Sequence, residues 1–200
     1  MFWPQDLLPH RTPEAKIFTF GYDADIDSFW SSAGQNTITQ HAQSLLSDLT
    51  DLRRTSKAQA VPIIFVAHSL GGIIVKDALN QSASTWENRQ KDIVPSVFAV
   101  CFLGTPHRGS STATTARRAY NLTTIVSKRP NLRILRSLEK NAETLDRIGN
   151  NFVQTMSQYD IKIYSFHEEQ EIRRYLFLNT IVRIISPFSC CICFKLLLIC

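Results

Sequence analysis

The chain is poor in several residues that common kinds of site require. It has five histidines among its 200 residues, and none of them follows Glu168. The net charge is +5, but the basic residues are scattered in pairs, without the dense patch and interleaved aromatics of a nucleic-acid groove. Glycine is scarce, and the turn HSLGG lacks the Gly-Lys-Ser/Thr ending of a phosphate-binding loop. No nucleic-acid partner is therefore expected.

The amino terminus and the cysteines exclude further classes. The first residues contain neither a basic segment nor an apolar core, so they do not form a secretory signal. Cys101 stands alone in an apolar run, and the other four cysteines crowd between Cys190 and Cys200, where the CCIC segment has no second Cys-x-x-Cys motif to pair with and no neighbouring histidine. This spacing argues against zinc and against a disulfide framework. We expect no cofactor or metal, and a reducing, cytoplasmic compartment.

Apolar β-rich runs alternate with helical patterns along the chain. Strands are predicted at residues 16–22, 61–67, 95–106 and 161–166. Helices are predicted from Asn36 to Leu52, after Ser69, and from Leu135 to Met156, because apolar residues recur there at helical spacing. This alternation favours right-handed crossovers and a mainly parallel sheet of about four strands.

Ser69 lies at the bend between the second predicted strand and an apolar helix. Open parallel sheets carry functional residues just beyond the carboxyl ends of their strands. In a nucleophile elbow, Gly-x-Ser-x-Gly, the serine occupies a strained turn, and the residues two before and two after it are small. Here these are Ala67 and Gly71. The pattern predicts Ser69 as a nucleophile with positive φ and the Leu70 N–H as an oxyanion donor. The alternative is a tight turn in which Ser69 only caps the helix.

Five segments carry a family resemblance: FWPQDLLP, IFTFGYDAD, NTITQHAQSLLSDL, PIIFVAHSLGGIIVKDAL and VCFLGTPHRGS, in this order. Together they resemble the serine esterase branch of the α/β-hydrolases. That branch includes the serine-active-site-containing proteins and the hydrolase-like amino-terminal domains of fungal NACHT, ankyrin and tetratricopeptide-repeat proteins. The resemblance implies an incomplete α/β-hydrolase-like three-layer sandwich at residues 1–170, followed by a divergent apolar tail at residues 171–200.

The resemblance also implies roles for residues outside the elbow. Glu168 matches the family's acid, although a solvated glutamate at a helix start is the alternative. The family's histidine has no counterpart after Glu168, which leaves His167 as the candidate base. The remaining expected pocket residues are His68, whose ring should point away from the nucleophile, Gly71 and His107. His41 is expected on a half-exposed helix face.

The family's strand that supplies the second oxyanion N–H has no counterpart in this sequence. It normally lies between the strands at residues 16–22 and 61–67. We therefore expect these two strands either to pair directly or to leave a gap, which costs about 1 kcal/mol or more for each unpaired backbone group.

The apolar tail has the length of a membrane span. About 20 apolar residues suffice to cross a bilayer, and residues 175–200 provide that length. Arg183, Pro187 and Lys195 interrupt the segment, which makes insertion costly. Membrane contact through this tail is therefore one expectation, and four cysteines in it would be available for acylation.

Three interpretations follow. The first is a serine ester hydrolase that acts on a carboxylic ester or lipid through an acyl-Ser69 intermediate. Its activity is expected to be weak or absent, because a base and a second oxyanion donor are missing. The second is a non-catalytic sensor or interaction module of a larger multidomain protein. The third is a gene product whose tail is translated from unrelated sequence. The resemblance adds possible membrane association, at the mitochondrion or endoplasmic reticulum.

Overall fold

The computed structural model describes residues 3–6, 8–22, 34–105, 142–166 and 195–199. Two short helices, α1 (Trp3–Asp6) and α2 (Leu8–Arg11), precede strand β1 (Ile17–Gly21). The central part of the chain then forms α3 (Gly34–Thr55), β2 (Ile63–His68), α4 (Gly71–Ser84), α5 (Asn88–Lys91), α6 (Ile93–Ser96) and β3 (Val97–Leu103). The remaining elements are α7 (Ala142–Gln158), β4 (Lys162–Phe166) and β5 (Lys195–Ile199).

The strands form one sheet in the order β1-β5-β2-β3-β4. Strands β2, β3 and β4 are parallel neighbours, whereas β5 runs antiparallel to both β1 and β2. Strand β1 therefore points in the same direction as β2. The expected incomplete α/β-hydrolase-like fold with a mainly parallel sheet is confirmed. Because β1 to β4 share one direction, their carboxyl ends lie along one edge of the sheet, here called the carboxyl edge.

The slot between β1 and β2 is occupied by the end of the apolar tail. On one side of β5, Ile199 lies opposite Ile17 of β1; on the other side, Leu196 lies opposite Ala67 of β2. The expectation that β1 and β2 pair directly or leave a gap is wrong, because β5 lies between them and makes a fifth strand of the described sheet. Strand β5 provides hydrogen-bond partners to the inner edges of both neighbours, which an interior position in a sheet requires.

The tail is thus partly a member of the sheet. Residues 171–194 and Cys200 lie outside the described residues, so the structure bears only on residues 195–199 of the predicted tail. The boundary expected at residue 170 does not separate these five from the hydrolase-like domain. Among the helices that the structure describes, none has the length and apolar character needed to cross a membrane.

The core lies between the sheet and a layer of three long helices, in which α4 contacts both α3 and α7. The predicted apolar stripe of α3 faces this core, and the fully buried members are Ile38, Ala42, Leu45, Leu46 and Leu49. The unbroken apolar run of β2 is typical of a strand that is covered on both faces. Its residues Ile63, Phe65 and Ala67 are buried, whereas Ile64 and Val66 on the other face are only half-buried.

Buried polar side chains fix α4 against its neighbours. The Asn80 amide donates to the Ile148 carbonyl at 3.1 Å and accepts from the Thr155 hydroxyl at 3.0 Å, which joins α4 to α7. The Ser82 hydroxyl donates to the Gln90 carbonyl at 2.6 Å and so holds the connector after α4. Since these groups are buried, losing either partner would leave a polar atom unsatisfied. Helix α4 is consequently fixed in position along its length.

Lys76 is a buried lysine of α4, with 4% of its surface exposed. Its Nζ lies 5.4 Å from the centre of the Phe102 ring and 5.6 Å from that of Phe152. The two rings favour the charged ammonium, but burial opposes it more strongly and lowers the Lys76 pKa to about 8. The free energy of unfolding is therefore lower while this side chain is protonated.

We predict that stability rises with pH between the folded pKa of Lys76, about 8, and its ordinary value of 10.5. In this window the unfolded chain binds a proton that the folded chain does not, so the free energy of unfolding increases with pH. The whole gain is on the order of 3 kcal/mol.

Urea unfolding of the wild type and of Lys76→Met at several pH values measures this gain in the free energy of unfolding. Lys76→Met should lose the slope, and Lys91→Met, at an exposed lysine, should keep it. Equal slopes in all three proteins would contradict the assignment.

A proline in β5 should destabilise the whole sheet. Leu197 lies opposite Thr19 on one side and Val66 on the other, so the strand is interior. Leu197→Pro removes a ladder N–H there and should lower the free energy of unfolding by on the order of 2–4 kcal/mol. Leu197→Val keeps the backbone and should cost about 1 kcal/mol or less. Urea unfolding followed by circular dichroism compares the two variants. Equal stability of the two would contradict the interior position of β5 in the sheet.

Candidate active site

Ser69 forms the bend between β2 and α4. Its φ is 53°, a left-handed conformation that costs a non-glycine residue on the order of 1–3 kcal/mol. The Ser69 N–H donates to the Leu103 carbonyl at 2.9 Å, which extends the pairing of β2 with β3 by one residue. The predicted positive φ is confirmed. The turn therefore has the backbone of a nucleophile elbow.

The alternative that Ser69 merely caps a helix is wrong. Helix α4 begins at Gly71, its N-cap is Leu70, and no side chain caps it. Ser69 is 0% exposed, and its Oγ has no hydrogen-bond partner among the residues described. An unsatisfied buried hydroxyl costs about 1–3 kcal/mol and calls for a functional explanation.

The Leu70 N–H is available for the predicted oxyanion role. The Ser69 carbonyl accepts from the Gly72 N–H at 3.1 Å and the Leu70 carbonyl from the Ile73 N–H at 3.0 Å, which forms the first turn of α4. Within the described part of the chain, the Leu70 N–H itself donates to no backbone carbonyl. It lies at the amino-terminal end of a long helix, where the helix dipole favours negative charge.

The strictest requirement for a small residue falls at Gly72 and not at Gly71. A Cβ on Gly72 would lie within 3.0 Å of three side-chain atoms of Thr105, the second residue after β3. A Cβ on Gly71 would meet the Tyr22 hydroxyl at 3.5 Å, an ordinary van der Waals distance. Helix α4 and the end of β3 therefore approach most closely one residue later than the elbow pattern indicates.

Tyr22 lies beside the first residue of α4 and has the ring of His41 against its own, a contact that the sequence did not predict. Tyr22 directly follows β1 at the carboxyl edge, and its hydroxyl oxygen is buried. The centre of its ring lies 5.4 Å from that of His41, which α3 supplies. Burial raises the pKa of Tyr22 far above its ordinary value, so the phenol stays protonated. His41 was expected on a half-exposed face; it is half-buried and contacts Tyr22. The signal available in the sequence was the position of Tyr22 immediately after a parallel strand.

His68 shares the strand face of Ile64 and Val66, opposite to the face that packs on the helices. Although the residue as a whole is exposed, partial burial lowers the pKa of its imidazole, which is therefore neutral at pH 7. Within the described ranges, no group of three or more His, Cys, Asp or Glu side chains could hold a metal ion.

His107, His167 and Glu168 lie outside the described residues. The structure does describe the chain immediately before them. The Gly104 N–H donates to the Phe166 carbonyl at 2.8 Å, so the ends of β3 and β4 meet at the carboxyl edge beside Ser69. The segments that lead to all three residues therefore end on the side of the sheet where Ser69 lies, and their roles stay predictions.

Comparisons with known proteins agree with this geometry. The family model described as "Putative serine esterase (DUF676)" matches residues 31–191. Protein SERAC1 of Danio rerio is 25% identical over 169 residues, which are 83% of this chain and 24% of that protein. Protein SERAC1 of Bos taurus is 24% identical and that of Homo sapiens 22%, over the same shares of each chain. The chain thus spans about a quarter of the length of these relatives. No solved structure matches it significantly.

The contact of Gly72 with Thr105 predicts a difference between two adjacent glycines. Gly72→Ala forces Thr105 to move and should destabilise the protein by about 1–3 kcal/mol. Gly71→Ala meets only an ordinary contact and gains helix propensity, so it should be neutral or stabilising by up to about 1 kcal/mol. Thermal and urea unfolding of both variants measure this. Thr105→Ala should recover part of the loss in the Gly72→Ala protein, and equal effects of the two glycine substitutions would contradict the packing.

Proposed function

Because the chain belongs to the serine esterase family that this model describes, we propose that it is a hydrolase-like domain with Ser69 as the nucleophile. The observation that supports this proposal best is the left-handed Ser69 at the strand-to-helix bend. Its buried hydroxyl has no acceptor among the described residues, so the chain maintains both a strained backbone and an unsatisfied group at one position. Two such costs at one residue are typical of a functional site.

In the proposed reaction, Ser69 Oγ attacks the carbonyl carbon of an ester. The new C–O bond forms, the π electron pair moves onto the carbonyl oxygen, and the Leu70 N–H donates to that oxyanion. The serine proton passes to a base and then to the departing alkoxide, which leaves acyl-Ser69; water hydrolyses this to a carboxylic acid and free serine. His167 is the proposed base and Glu168 the proposed acid, since both follow β4, which ends at the carboxyl edge.

We propose that hydrolysis is weak. No histidine follows Glu168, and His167 directly follows the last residue of β4, a position from which the imidazole reaches Ser69 only with an unusual backbone. Where a triad member is removed from a serine protease, about 10³–10⁴-fold catalysis over water remains. Ser69 is also 0% exposed, so substrate has to displace neighbouring chain before it can react.

A non-catalytic module is the second candidate. It is favoured by the same burial of Ser69, because a nucleophile closed off from solvent turns over no external ester. In this case the elbow is kept for packing, as the close approach of Gly72 to Thr105 illustrates. A role as sensor or interaction module of a longer protein fits the quarter of the relatives' length that this chain spans.

The proposed substrate class is a carboxylic ester or lipid, and membrane contact through residues 175–200 is proposed with it. Strand β5 limits that contact, because residues 196–199 have both edges paired within the sheet. The membrane-facing part would therefore be residues 175–194. The wild-type protein should therefore sediment with anionic phospholipid vesicles, and a wild type that stays in the supernatant contradicts membrane contact by the tail.

Slow, Ser69-dependent labelling by a fluorophosphonate probe is the expected outcome for the proposed esterase. The probe reacts only with an activated serine, and the absent histidine should keep its rate well below that of ordinary serine hydrolases. Intact-mass spectrometry over long incubations measures the labelled fraction. A short-chain p-nitrophenyl ester, followed in parallel, should release nitrophenol at a correspondingly low rate.

Ser69→Ala is the matched control, and Ser82→Ala controls for the loss of another buried serine hydroxyl. Labelling that is absent in the wild type, or that persists in Ser69→Ala, rejects the esterase and leaves the non-catalytic module. Labelling at the rate of an ordinary serine hydrolase rejects weak activity. It would then require His167 or His107 as the base, which His167→Ala and His107→Ala distinguish.

A further inference from the structure

Tyr22 brings a hydroxyl to the elbow from the far side of β5. Strand β1 ends at Gly21, which lies opposite Lys195 of β5, so Tyr22 stands at the carboxyl edge one strand away from β2. Its hydroxyl oxygen is 3.5 Å from the position that a Cβ on Gly71 would occupy. Gly71 is the first residue of α4 and follows the predicted oxyanion donor directly. The tyrosine therefore reaches the first turn of α4, across the end of the intervening strand.

Two aromatic neighbours set the direction of this side chain. Its ring stacks on Phe20 with the ring centres 6.3 Å apart and 26° between the planes. On the α3 side, the ring of His41 meets it at 5.4 Å with a tilt of 50°. Aromatic contacts of this kind restrict a side chain that has only two rotatable bonds. The hydroxyl is thus held beside the elbow by elements on two sides.

We propose that the Tyr22 hydroxyl is the second hydrogen-bond donor to the oxyanion formed at Ser69, paired with the Leu70 N–H. The proposal rests on the esterase chemistry proposed above. In that step the Ser69 Oγ–carbon bond forms and the carbonyl π pair moves to oxygen, while Tyr22 donates a hydrogen bond and keeps its proton. A preorganised donor in a dry site stabilises the developing charge, and removing one such donor costs about 10²–10³ in rate.

The protonation of Tyr22 agrees with this role. Burial raises the phenol pKa well above its ordinary value, so the hydroxyl remains a donor throughout the pH range in which esterases are assayed. The role also assigns a function to a position that the elbow pattern does not include. In this site the second donor is a side chain directly after β1, and its hydroxyl lies beside the first residue of α4.

The test is the inactivation of Tyr22→Phe by the fluorophosphonate, whose phosphoryl oxygen takes the place of the oxyanion. The first-order rate constant of inactivation at saturating probe should fall by about 10²-fold, whereas the concentration giving half the maximal rate should change by less than about twofold. The melting temperature should hold, because phenylalanine keeps the ring contacts with Phe20 and His41. Tyr159→Phe, the same chemical change at the end of α7, should leave every parameter unchanged.

The outcomes separate this inference from the function on which it rests. If the wild type is not labelled at Ser69, both the esterase and the Tyr22 role fail. If the wild type is labelled and Tyr22→Phe reacts at the same saturating rate, only the oxyanion role fails. A lower melting temperature and weaker probe binding with an unchanged saturating rate would make Tyr22 a packing residue and would likewise overturn the role. Phe18→Leu, at a residue of β1 that packs against the core, provides the comparison for a purely structural loss on this strand.

Discussion

The left-handed backbone of Ser69 is the constraint on which the rest of the site depends. It reverses the chain so sharply that α4 begins two residues after the serine, and its first turn is then pressed against the end of β3 at Thr105. That approach is possible only with glycine at position 72. The same turn leaves the Leu70 N–H free of backbone carbonyls in the described residues and places Gly71 beside Tyr22. The positions of the proposed donors and nucleophile, and the close packing around them, all follow from one unusual dihedral angle.

A strained turn needs rigid surroundings, and α4 supplies them. Its Asn80 is bonded to α7 at two points, and its Lys76 lies between two aromatic rings from β3 and α7. Burying a cation there opposes folding at neutral pH, yet the ammonium contacts keep the helix in register with the sheet. The buried ammonium thus lowers the stability of the domain within the helix layer that supports the elbow. The result is a helix that cannot relax to relieve Ser69.

Local patterns in the sequence predicted much of the fold, because they report on neighbours along the chain. The apolar spacing of α3, the unbroken strand before Ser69 and the small residues after it were sufficient for the elbow and its positive φ. The place of β5 could not be predicted in this way, since residues 195–199 form a short apolar run whose partners are distant in sequence. Tyr22 was missed for a related reason: an aromatic residue at a strand end has the same local signature whether it fills a core or faces a site.

The position of β5 also bears on how the protein folds. A strand from near residue 197 separates β1 from β2, so the inner edges of two early strands find their partners only across most of the chain. Closing so long a loop costs configurational entropy before any stabilising contact forms. A high contact order therefore slows folding. The parallel unit of β2, β3 and α4, whose contacts are closer in sequence, can condense first. In pulsed hydrogen exchange the amides of β5 would then gain protection last, and until that moment the edges of β1 and β2 would be open to strands of other chains.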